Sequence, residues 1–152
     1  MSLQQASSEY AQQPPWHLWA VGLLFLVLHL GGVYDQAMLL SQHAGYFQQQ
    51  GFGDAQIAYF TDYPLLRALV WITALWGGLI ASILLLLRSR FAFAVALIGF
   101  AAQVILIIET FGFLNRWQLF GPWLSLFDFS VLFLTVGFVL YCRTMLVRGV
   151  LR

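Results

Sequence analysis

Four stretches in which apolar residues follow one another almost without interruption dominate this chain, at about 16–34, 65–87, 91–110 and 123–142. None shows the two-residue alternation of a barrel strand, and all are longer than the ~9–11 residues such a strand needs. A hydrocarbon core of ~30 Å is crossed by about 20 apolar residues in helical conformation, and each stretch reaches or approaches that length. Lipid satisfies no backbone polar group, so helices are the expected spanning form. The pattern predicts an all-α fold: an integral membrane four-helix up-down bundle. Proline stands before three of the stretches (Pro14-Pro15, Pro64 and Pro122), where a helix's first turn tolerates it. Trp16, Trp19, Trp117, Trp123, Tyr34 and Tyr141 fall near the expected interfaces, as aromatic belts do.

The polar segments between these stretches complete the plan. Residues 1–15 are rich in Gln and Ser and read as a disordered tail without the basic segment of a secretory signal. The four-span domain covers 16–142, and 143–152 is a basic tail. Arg88, Arg90, Arg143, Arg148 and Arg152 fall on one side of the bundle, Arg67 and Arg116 on the other. The excess of basic residues marks the cytoplasmic side, so both termini are expected inside and segments 35–64 and 112–122 outside. The first of these is long for a helix connection. Met38, Leu39, Leu40, Tyr46 and Phe47 give it an apolar pattern, Gly51 and Gly53 interrupt it, and Asp54 is placed to cap a second short helix through Thr61. Two short helices at the outer surface are therefore expected, over the mouth of the bundle.

Composition narrows the functional classes. The 152 residues are 61% hydrophobic and 9% charged, against about 25% charged in a soluble domain. A net charge of +1 offers nothing to nucleic acid. All seven basic residues are arginine and the single cysteine, Cys142, has no partner for a disulfide or metal site. No catalytic, cofactor or metal motif is present; H-E-x-x-H and C-x-x-C patterns are both missing. The expected partner is the lipid bilayer, with room for a homo-oligomer or a partner membrane subunit.

Small residues mark the packing faces. In the second span Ala74, Gly77, Gly78, Ala81 and Ser82 allow close backbone approach, and Arg67 projects on the same side as Ala74, Gly78 and Ala81. In the first span Gly22, His29 and Gln36 recur every seven residues. In the fourth, Ser125, Asp128, Thr135 and Cys142 make a polar stripe.

The candidate chemistry is one ionisable residue per span near the same end: His29, Arg67, Glu109 and Asp128, with Asp35 at the rim. Rise per residue sets Asp128 about 9 Å below the outer boundary, with His29 at a similar depth. A charge at mid-membrane costs ~2.5–3.5 kcal/mol, so such groups turn inward and pair. Three arrangements fit. A structural knot would pair Arg67 with Asp128, Glu109 or both. A solute or proton-coupled site would use the carboxylate left in excess once Arg67 is matched. A metal or catalytic site would need His29, Glu109 and Asp128 together. The first makes the protein a non-enzymatic structural or accessory membrane component. The second makes it a small transporter or solute-binding protein acting as an oligomer, because four spans are few for a transporter.

The strings Gly32-Val33-Tyr34-Asp35, Ile57-Ala58-Tyr59-Phe60-Thr61-Asp62-Tyr63-Pro64, Trp76-Gly77-Gly78-Leu79-Ile80-Ala81-Ser82 and Arg148-Gly149-Val150-Leu151-Arg152 together resemble an uncharacterised family of small four-span bacterial inner-membrane proteins. Some members of that family carry a sugar-transporter label. The resemblance runs from Trp16 to the C-terminus and is best from Gly32 to Arg90. It implies a four-span fold in a bacterial inner membrane and assigns no residue a role.

Overall fold

The computed structural model describes residues 14–152; most of the expected tail, residues 1–13, lies outside the described residues. Six helices follow in order: α1 (Trp16–Leu40), α2 (Ala44–Gln49), α3 (Asp54–Phe60), α4 (Leu65–Leu86), α5 (Phe91–Gly112) and α6 (Arg116–Val147). Four of them, α1, α4, α5 and α6, are long and apolar enough to cross a membrane. The two short ones lie in the connection between α1 and α4, as its pattern predicts. Residue Asp54 does not cap α3 but begins it. Gly53 occupies the cap position, and its backbone N–H donates to Gln56 Oε1 at 3.0 Å.

Neighbouring long helices pack antiparallel, with α4 between α1 and α5, and α5 against α6. The contact between α4 and α5 is the closest, because glycines meet there. A Cβ on Gly77 would stand 2.9 Å from the Gly99 Cα, and one on Gly99 would stand 3.1 Å from the Gly78 backbone nitrogen. In lipid, where apolar surface gains nothing by leaving its solvent, such approach is what holds helices together. Gly78 serves α1 as well, since a Cβ there would collide with the His29 imidazole. Ala81 and Ser82 are fully buried, and the Ser82 hydroxyl donates to the Gly78 carbonyl at 2.8 Å.

The two ends of the bundle differ. At the end carrying the start of α1 and the C-terminus, Leu18, Phe25, Leu85, Phe138 and Met145 form a continuous core. Phe25 stacks on Phe138 with ring centroids 4.3 Å apart, and His17 Nδ1 meets the Tyr141 hydroxyl at 2.6 Å. Beyond the last turn of α6, Gly149 at φ 70° reverses the chain. The N–H groups of Gly149 and Val150 then reach the carbonyls of Leu146 and Met145, each at 3.0 Å, the pairing of a Schellman cap. Val150 and Leu151 bury themselves, and Arg152 exchanges backbone hydrogen bonds with the α4–α5 turn at Arg88 and Arg90.

At the loop end the core is a separate aromatic cluster. Leu39, Phe47 and Phe60 are buried with Phe52, Tyr63, Trp71 and Phe120 packed around them. These side chains fasten α2 and α3 over α1, α4 and α6, and Gln56 Nε2 adds a bond to the Leu119 carbonyl at 3.0 Å. Two long helices also differ from their expected bounds here. At ~1.5 Å per residue, the 25 residues of α1 reach about 37 Å, longer than a ~30 Å hydrocarbon core. The last turns of α1, with Asp35, therefore stand beside the short helices. Helix α6 begins at Arg116, ahead of Pro122, because a single non-helical residue, Gly121 (φ 76°, ψ 176°), joins a short leading segment to the span proper.

Candidate functional site: a cavity at the loop end

Between the four long helices, beneath α2 and α3, lies a cavity of about 600 Å³, within the ~300–1,000 Å³ of small-molecule pockets. Its walls are mostly apolar and aromatic; Phe52 and Phe60 contribute from the connecting segment, Trp71 from α4 and Phe120 from α6. Its polar groups are few: His29, Asp35, Gln50, Gln103, Thr110, Arg116 and Asp128.

These groups are arranged by their own helices. The His29 side chain is buried, and its Nδ1 donates to the Phe25 carbonyl at 2.7 Å. That bond leaves Nε2 as the acceptor, held in the space that Gly78 provides. Asp35, two turns further along α1, accepts a hydrogen bond from the Tyr46 hydroxyl of α2. Burial and this bond push the Tyr46 phenol up to about 12, so it remains a donor throughout the physiological range. Asp128 is met by Arg116, with Nε to Oδ2 at 2.7 Å and Nη2 to Oδ1 at 3.4 Å. Both residues belong to α6, and the turn at Gly121 lets the leading segment bring Arg116 back onto the span. The guanidinium also lies 4.7 Å from the centroid of the Phe120 ring. Gln103 of α5 adds a side-chain amide to the wall.

The four ionisable residues picked out by the sequence do not form one cluster. Arg67 pairs with Glu109, Nε to Oε1 at 2.9 Å, joining α4 to α5 outside the cavity wall. The Arg67 guanidinium sits 5.3 Å from the Tyr63 ring centroid. His29 and Asp128 line the cavity, and the rim residue Asp35 lines it with them. Among the described residues no three metal-ligating side chains converge. The polar stripe of the fourth span closes on its own backbone: Ser125 donates to the Gly121 carbonyl and Thr135 to that of Val131, each at 2.8 Å. Ala74 belongs both to the packing face and to the cavity wall.

Arg116 is the member that sequence reasoning missed. In the sequence it counted only toward the orientation of the spans, as one of the two arginines on the outer side. The signal available was the Gly121-Pro122 pair, which marks a turn between Arg116 and the span. Counting Arg116 moves the unmatched carboxylate from the Asp128–Glu109 set to Asp35.

No protein-family model, no curated protein and no solved structure matches this chain. The four candidate spans give it the make-up of a multi-pass membrane protein, and the reading of its site rests on geometry alone.

Proposed function

We propose that this protein is a non-enzymatic membrane component that binds a small amphiphilic molecule in the loop-end cavity and takes it up from the membrane phase. The observation that carries this is the placing of the opening. Val27 and Gly31 of α1 and Trp123 and Phe127 of α6 line the cavity and are at the same time exposed on the lipid-facing surface. The gap between α1 and α6 therefore leads sideways into the bilayer, while α2 and α3 cover the end. An apolar body would lie against the aromatic wall and a polar head among Asp35, Arg116, Asp128 and Gln103. Transport, as distinct from binding, would call for an oligomer or a partner subunit.

Charge distribution supports a bacterial inner-membrane setting with both termini cytoplasmic. The two arginines at the loop end are both ion-paired, and the five at the terminal end have no carboxylate partner among the described residues. All described acidic residues (Asp35, Asp54, Asp62, Glu109 and Asp128) belong to the loop end.

Native mass spectrometry of the protein released from its own membrane tests the binding reading. The expected spectrum carries a bound small molecule that Leu106→Trp, which puts an indole into the cavity wall, displaces. A spectrum of bare protein, unchanged by that substitution, refutes it. The alternative, an accessory role in which ion pairs only hold helices, is favoured by one observation: the Arg67–Glu109 bridge between α4 and α5. A bare spectrum together with a marked loss of stability in Glu109→Gln would support it.

A further inference from the structure

Resting on the binding reading, the charges of the cavity identify the kind of head group. Two carboxylates and one guanidinium line it: Asp35, Asp128 and Arg116. Arg116 is committed to Asp128 through two hydrogen bonds. Asp35 accepts no hydrogen bond from an arginine: Arg116 acts on it only through space, and its hydrogen-bond partner, the Tyr46 hydroxyl, is a neutral donor. His29 turns its Nε2 toward Gly78, against the α4 backbone. With both carboxylates ionised, the cavity holds one negative charge in excess of Arg116. Six rings (Phe52, Phe60, Tyr63, Trp71, Phe120 and Trp123) line it, and an aromatic face attracts a cation and not an anion. An anionic head would meet an arginine already satisfied and two carboxylates.

We infer that the cavity is selective for an organic cation, an amphiphile with an ammonium-type head that pairs with Asp35 and an apolar body that lies against the aromatic wall. No other feature of the molecule points to a ligand as directly. The groove on the outside of the α1–α6 seam, lined by Val21, Ser130, Phe133, Gly137 and Tyr141, is mostly apolar and indicates no particular occupant.

Three probes separate the possibilities: tetraphenylphosphonium and tetraphenylborate, which match in size, and the smaller neutral triphenylphosphine oxide. Binding is measured by tryptophan quenching on the full chain in lipid nanodiscs, with empty nanodiscs subtracted for partitioning. The expected result is preference for the cation over both others. Asp35→Asn, which keeps the shape of the side chain and its bond to Tyr46, should weaken the cation about tenfold and leave the neutral probe unchanged, the scale of one charge contact in a partly desolvated site. Equal binding of cation and neutral probe, or preference for the anion, overturns the cation assignment and leaves the binding site standing. Saturable binding of none of the three overturns both. The wild-type comparison needs no substitution, so it decides the matter even where a variant fails to fold.

Discussion

At the scale of the residue, the most consequential side chain is Arg116. Its pairing with Asp128 is local to α6, yet it determines which carboxylate of the cavity remains unmatched. Removing one partner of a buried pair costs ~3–5 kcal/mol, because the other charge is left desolvated. Each side chain here keeps 21% of its exposure, so Arg116→Met should cost less than that, about 2 kcal/mol by the same reasoning. Replacing both partners with apolar residues removes the orphan charge. The double variant Arg116→Met/Asp128→Leu should therefore melt above Arg116→Met in detergent. If the double variant melts lower than both single ones, the pair contributes more than it costs and the argument fails. Tyr46 provides a second test at this scale. Its raised phenol pKa means that the folded state holds the proton more firmly than the unfolded chain does. The stabilisation is complete below the ordinary tyrosine value of about 10 and is lost as the pH rises through about 12. Tyrosine absorbance titration should show one phenol fewer ionising near that upper value in Tyr46→Phe. Identical titration curves for the two proteins would remove Tyr46 from the tether between α2 and Asp35.

At the scale of the element, Gly121 decides where α6 turns. Its φ of 76° with ψ of 176° lies in a region essentially reserved for glycine, and other residues there cost ~1–3 kcal/mol. Gly121→Ala should lower the melting temperature by a corresponding amount and loosen the Arg116–Asp128 pair. A melt equal to wild type would mean that the leading segment of α6 can straighten without penalty. This same turn shows how far the sequence could be read. Long apolar runs between prolines identify the four spans, since only a helix satisfies its backbone in lipid, and Gly51 and Gly53 separate the two short helices of the connection. The packing face of α4 was legible because small residues at helical spacing have few other uses in a membrane. The site was legible in part. His29 and Asp128 project from inward faces and do line the cavity, whereas Arg67 and Glu109 pair beside it. The choice between carboxylate partners depends on where helix ends lie. Those ends shift when α1 continues for six residues past the expected boundary and α6 begins seven residues before it. Periodicity carries no information about a fold-back of that kind.

At the scale of the whole molecule, the bundle is closed at one end and open along one side at the other. The Phe25–Phe138 stack and the His17–Tyr141 bond seal α1 against α6 near the termini. Toward the loop end the same two helices separate, and the cavity opens between them. Gly31 stands in this opening: it lines the cavity, is exposed, and has no atom within 4 Å of the place its Cβ would occupy. A large side chain there meets no obstacle, so Gly31→Trp should change stability by no more than the ~0.5 kcal/mol typical of surface positions. It would nevertheless stand across the gap through which a membrane-dissolved molecule passes. The expected outcome is an unchanged melting temperature with much slower association of a bound probe, followed by stopped-flow tryptophan quenching in nanodiscs. Association at the wild-type rate would show that molecules reach the cavity by another way, past α2 and α3. Then Gln50 and Phe52, which line the cavity from the connecting segment, become the positions at which a bulky substitution should slow it, and the cover over the mouth becomes the moving part.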